Sequence, residues 1–225
     1  MTKRKRPTTT ERAKSSTQPA QRRPIVMVSS TVYGIEDFLD MTHILLNGMG
    51  YEVWMSHKGT MPVDPKLSNF DNCVRCVRDC DLFLGIITPQ YGSGVGKKPG
   101  DISITHREIR EAISQKKPRW ILAHDHVVFA RAFLNRLQLN GKSARSRLTL
   151  ESNMVLSDLR CIELYEEVAQ VTTPLPNRVG NWAQTFRSSD DARLFVLAQF
   201  DRYLEAHAFL KDNFPRPSQT PRITL

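Results

Sequence analysis

The stretch "PIVMVSSTVYG" (residues 24–34) decides how the rest of the chain is read. Ile25 to Val28 form a continuous apolar run of the kind that a strand covered on both faces requires, and the run stops at three consecutive hydroxyls, Ser29, Ser30 and Thr31. An amphipathic stretch follows: Ile35, Phe38, Leu39, Thr42, Leu45, Leu46 and Met49 share one helical face, with Gly48 and Gly50 at its end. A strand followed by a helix is the opening of a βαβ unit, and the alternation continues. "YEVWMS" (51–56) reads as a short strand, "SNFDNCVRCVRDCD" (68–81) as a helix, and "DLFLGIIT" (81–88) as a second fully covered strand. The glycine-rich "PQYGSGVGKKPGD" (89–101) leads into a helix over "SITHREIREAISQ" (103–115), and "RWILAHDH" (119–126) is a further strand. The fold class implied is α/β: three layers with a mostly parallel sheet and a C-terminal α-rich extension.

Beyond residue 126 the pattern is less regular. "VVFARAFLNRLQL" (127–139) has helical spacing, "DLRCIELY" (158–165) reads as a fifth strand, and "NRVGNWAQTF" (177–186) has the composition of a loop. A long helix over 190–210 is expected to turn Leu194, Val196, Leu197, Phe200, Tyr203 and Leu204 inward. Trp182 suits a buried anchor joining that helix to the sheet, or a plug over the crevice. The organisation expected is a basic tail at 1–23, a core at 24–126, an extension completing the domain at 127–212, and a Pro-rich tail at 213–225.

Charge is distributed unevenly. Of the formal net charge of +9, residues 1–23 carry +7, from eight Lys or Arg and one Glu. A segment so poor in apolar residues cannot offset its ordering entropy and is expected to be disordered. It is either a solvated leader or an electrostatic contact for nucleic acid or an acidic partner. The rest is close to neutral, which argues against a nucleic-acid-binding fold. No apolar run approaches the roughly 20 residues that span a bilayer, so no membrane partner is expected. With four cysteines and no apolar leader of signal-peptide type, a reducing, cytoplasmic setting is expected.

In an open parallel sheet, ligands bind outside the carboxyl ends of the strands. The candidate ligand-binding residues are therefore Ser29, Ser30 and Thr31 after the first strand, Tyr91, Gly92, Ser93 and Gly94 after the third, and Ser103 at the next helix. The loop from Tyr91 to Gly96 could cover a ligand or simply connect. It is no ATP-binding P-loop: Tyr91 stands where that pattern needs glycine, and Lys98 where it needs Ser or Thr. Cys73, Cys76 and Cys80 fall on one side of a helix, but four ligands are lacking for structural zinc and core packing is the simpler reading. His124 and His126, two apart on a strand with Asp125 between them, lack a visible further ligand, so no metal site is assigned. His43 and His57 have no companions, and the pattern calls for no cofactor.

Taken together, "IVMVSST", "CDLFLGIITPQYGSG" and "ISITHREIREA" resemble, in order and spacing, a family of domains of unknown function found alone or fused to signalling NTPases. The resemblance covers about Pro24 to His126. It implies a fold related to Toll/interleukin-1 receptor (TIR) domains and nucleoside deoxyribosyltransferases, and a nucleotide-like ligand. It further implies N-glycosidic cleavage or transfer on NAD or a related nucleotide, a role in bacterial defence signalling, and homo-oligomeric assembly. By the same resemblance Glu108 is the catalytic candidate, since enzymatic relatives place a glutamate on this helix against a ribose, where a carboxylate can stabilise an oxocarbenium-like transition state. Gly34, Phe38 and Leu39 stand where the family commonly has an Asp and a Glu-Arg pair, a departure that favours the alternative of a non-enzymatic signalling or protein-interaction module using the same crevice. Glu108 also has a purely structural reading: Thr105 to Glu108 spells the S/T-x-x-E capping box.

Overall fold

The computed structural model describes residues 22–95, 101–151, 155–202, 205, 208, 209 and 212. The basic stretch up to residue 21, Gly96 of the glycine-rich loop, Tyr203, Leu204 and the Pro-rich end from 213 lie outside the described residues.

In chain order the elements are β1 (Ile25–Ser30), α1 (Glu36–Gly48), β2 (Glu52–Trp54), α2 (Asn69–Asp79), β3 (Leu82–Ile87), α3 (Ile104–Ser114), β4 (Arg119–His124) and α4 (Asp125–Arg136). There follow the short α5 (Gly141–Arg145), α6 (Arg160–Val168), β5 (Ala183–Phe186) and α7 (Ser189–Phe200). The five strands run parallel in the order β2-β1-β3-β4-β5. The chain leaves β1 toward one edge, to β2, and then crosses back to place β3 on the other side. The connections therefore diverge at the carboxyl ends of β1 and β3, and a crevice opens there.

Alternation along the central strands sorts the core into two halves. Ile25 and Met27 of β1, Phe83 and Ile87 of β3, and Ile121 and Ala123 of β4 pack with α2, α3, α4 and α6. Val26, Val28, Leu82, Leu84, Ile86 and Leu122 face the opposite way and pack with α1 and α7. The result is three layers. Gly85, in the middle of β3, is needed for closeness: a Cβ there would lie 2.7 Å from Ile121 Cδ1. On the other face Tyr51 donates to the Phe200 carbonyl at 3.0 Å and meets the Phe200 ring edge-on, which ties the end of α7 to the start of β2.

Four local expectations fail. The segment 158–165 is not a strand: Cys161, Ile162, Leu164 and Val168 are buried at helical spacing, and this is α6. The fifth strand is instead β5, in the stretch read as a loop, because an edge strand with one buried residue, Phe186, carries almost no apolar signal. β4 ends at His124, which caps α4, so Asp125 and His126 open a helix and do not extend a strand. Along α7, Ala192, Val196 and Phe200 face the core while Leu194 is exposed.

Candidate functional site

The hydroxyls that end β1 are spent on the protein itself. Ser29 points to the same side as Met27 and donates to Glu108 Oε2 at 2.5 Å. Ser30 donates to the Thr31 carbonyl at 2.7 Å, and Thr31 bonds Thr88 at the end of β3 and the Gln90 carbonyl. Ser29, Thr31 and Thr88 are all buried. Together these bonds form a polar seam between the ends of β1 and β3, satisfying groups that would otherwise be orphaned.

Glu108 belongs to this seam. Ser103 caps α3 by accepting from the His106 N–H at 3.2 Å, so the helix begins too early for a Thr105–Glu108 capping box. That places Glu108 in the second turn of α3, where its side chain is turned inward and is 4% exposed. Burial pushes its carboxyl up to about 7, against the opposing hydrogen bonds from Ser29 and Cys73. Near neutral pH the group therefore holds its proton much of the time.

The open feature lies next to the seam. A cleft of about 340 Å³ is lined by Tyr33, Gln90, Tyr91, Gly92, Ser93, Val95, Ser157, Asp158 and Arg160. It joins the loops after β1 and β3 to the start of α6. Tyr33 offers an exposed ring, and the Arg160 guanidinium lies 4.5 Å above the ring of Tyr91. Arg160 is bound to Asp158 by Nε and Nη2 and donates to the Asp101 carbonyl at 2.7 Å. Ser157 knits the same corner, accepting from the Tyr91 N–H at 2.8 Å while its own N–H donates to the Pro89 carbonyl. Gly92 sits where cleft and seam touch: its φ is +91°, and a Cβ would fall 2.3 Å from Thr31 Cγ2.

A hydrogen-bonded chain runs from the buried side of the cleft wall out to the surface. Tyr91 Oη lies 2.6 Å from His106 Nδ1, and His106 Nε2 lies 3.2 Å from Glu167 Oε2. Glu167 is itself bridged by both the Nε and Nη2 of Arg110. Burial would raise the Glu167 carboxyl, but the bonds from Arg110 and His106 prevail and hold it at about 2. The ionised carboxylate only accepts, so His106 carries its proton on Nε2, and Nδ1 accepts from Tyr91. Burial in turn pushes the Tyr91 phenol up to about 12, which keeps it a neutral donor.

The candidate residues thus divide. Ser29, Thr31 and Glu108 meet in the seam, with Ser30 beside it; Tyr91, Gly92 and Ser93 line the cleft; Ser103, fully buried, is a helix cap; and Gly94 packs near Phe70 and Ile104. Tyr33, Asp158 and Arg160 of the cleft, and the partners His106 and Glu167, went unread in the sequence. Asp158 and Arg160 were hidden inside the segment read as a strand, whereas Tyr33, two residues beyond Thr31, was within reach. Cys73, Cys76, Cys80 and Cys161 are buried free thiols that pack in the core. Trp182 is 73% exposed and precedes β5, at the amino ends of the strands, so it is neither buried anchor nor plug. No helix among the described residues is long and apolar enough to cross a membrane.

Residues 25–174 match the model of a protein family described as a domain of unknown function, DUF4062. No curated protein matches the chain.

Proposed function

The chain belongs to the DUF4062 family, and on that premise we propose that it is a signalling module that binds a nucleotide-like small molecule in the cleft between β1, β3 and α6. The observation that carries this reading is the composition of the cleft: one exposed aromatic ring, an acid-base pair, and backbone freed by a glycine, all at the point where the connections of a parallel sheet diverge. Tyr33 can stack on a base, Asp158 can accept from ribose hydroxyls, and Arg160 retains N–H groups for a phosphate oxygen. Kinship with TIR and deoxyribosyltransferase folds is part of the proposal, supported by the parallel sheet and by a glutamate on the helix after β3.

A second reading is N-glycosidic cleavage or transfer on NAD or a related nucleotide, with Glu108 acting on the ribose. It is favoured by the position of Glu108 at the carboxyl end of the sheet, against Ser29. The closure of the seam weighs against it, because a carboxyl 4% exposed and hydrogen-bonded to Ser29 reaches no substrate unless the seam opens. Titrating the protein with NAD, ADP-ribose and a nucleoside panel by calorimetry, with products followed by mass spectrometry, separates the two. Saturable binding that weakens at least about tenfold in Arg160→Ala, without base release, is expected. Base release by the wild type that disappears in Glu108→Gln would instead establish glycosidic chemistry.

A further inference from the structure

One group of side chains outside the cleft has an arrangement that hydrogen bonding leaves unfinished. At the junction of β4 and α4, one ligand atom from each of His124, Asp125 and His126 lies within 4.8 Å of the others. Asp125 Oδ2 accepts from Arg187 Nε at 2.8 Å, just after β5. Asp125 Oδ1 is shielded from solvent and accepts no hydrogen bond. It lies 3.0 Å from His124 Nδ1 and 4.0 Å from His126 Nε2.

The nearer contact is an unfavourable one as it stands. His124 Nδ1 accepts from the His126 N–H at 3.2 Å, so this nitrogen presents a lone pair. The nitrogen shares its one lone pair with the His126 N–H and stands 3.0 Å from a carboxylate oxygen that is itself shielded from solvent, so two electron-rich atoms face each other. A cation between them relieves the repulsion. Around a four-coordinate ion with bonds of about 2.0 to 2.2 Å to nitrogen and oxygen, neighbouring ligand atoms stand roughly 3.0 to 3.5 Å apart. The His124–Asp125 pair already has that bite, and His126, on a half-exposed side chain with its Nε2 4.0 Å from Asp125 Oδ1, must swing inward to complete the set. The remaining surroundings also fit: Arg187 orients the carboxylate from behind, and the His124 ring is held edge-on against Phe186 at 5.2 Å.

We propose that His124, Asp125 and His126 bind a divalent transition-metal ion of the zinc class, with the fourth position open to water. Two imidazoles and one carboxylate are a donor set suited to zinc, cobalt or nickel. The ion draws on the lone pair that caps α4, so it replaces that cap as it binds. It stands at the carboxyl end of the sheet, one strand away from the seam: Ile87 pairs with Ala123, which brings Thr88 alongside His124.

The test uses the full chain without an affinity tag, titrated with Co²⁺ and Zn²⁺ alone. Expected are one equivalent of Co²⁺ giving the intense visible bands of a four-coordinate ion, displacement by Zn²⁺, and a melting temperature raised by either ion. His126→Ala and Asp125→Asn should each weaken Zn²⁺ binding at least about tenfold, with unchanged far-ultraviolet circular dichroism showing that the variants fold. His43→Ala, on α1, should leave it unchanged. Absence of saturable binding in the wild type, or binding that survives both substitutions, overturns the proposal.

Discussion

The seam of Ser29, Thr31 and Glu108 and the cleft of Tyr33, Asp158 and Arg160 meet at Gly92, at one end of one sheet, yet the first is closed and the second open. In the seam, each polar group has a partner within the protein, and burial leaves Glu108 close to neutrality. In the cleft, the ion pair of Arg160 and Asp158 is about a third exposed, and the ring of Tyr33 stands in solvent. Polar residues at a ligand-binding edge can thus do either of two jobs, closing the end of a strand or presenting chemistry, and residue type alone does not distinguish them. Solvent access does.

The contrast makes the stability effects of the two groups differ sharply. Glu108→Ala would leave a void and an unpaired Ser29 hydroxyl, and should cost about 3 kcal/mol in denaturant unfolding. A loss below about 1 kcal/mol would show that the seam is wetter than described.

The next effect concerns pH. The Glu108 carboxyl ordinarily titrates near 4.5 and in the folded protein near 7, so between these values only the folded form holds the proton. Stability contributed by this group is full below about 4.5 and falls as pH rises to about 7, by about 3 kcal/mol. Glu108→Gln removes that slope: the variant should gain on the wild type by about this amount between pH 5 and pH 8, and a constant gap would refute the burial argument.

Gly92→Ala tests the contact between the two regions. Its positive φ and the approach to Thr31 should together cost about 2 kcal/mol, and the proposed ligand affinity should fall with stability. Unchanged stability would mean that the loop after β3 yields more easily than its packing against Thr31 implies.

The smallest stability effect belongs to the cleft. Arg160→Ala should lower stability by no more than about 1 kcal/mol, since its ion pair is partly solvated, while binding suffers most. Equal losses in both measurements would make Arg160 a structural residue.

The sequence makes the buried strands easy to read and the seam hard. β1 and β3 announce themselves as apolar runs bounded by hydroxyls and glycine, because both faces of each are covered. α6 reads as a strand and β5 as a loop: a short segment with few apolar positions carries no decisive period, and only packing settles what it forms. The bond from Ser29 to Glu108 spans 79 residues, and no local pattern encodes it. The same holds for His106, whose partners Tyr91 and Glu167 come from opposite sides of it in the chain.

The family match stops at residue 174, but the sheet does not. β5 and α7, residues 183–200, cover the free edge of β4 and the apolar side of α1. A fragment cut at the family boundary would present the unpaired N–H and carbonyl groups of β4 to its neighbours and leave Phe38, Leu122 and Tyr51 without Phe186, Val196 and Phe200. Such a fragment would recruit other copies of itself, so expression work on this domain should carry the chain through at least Phe200.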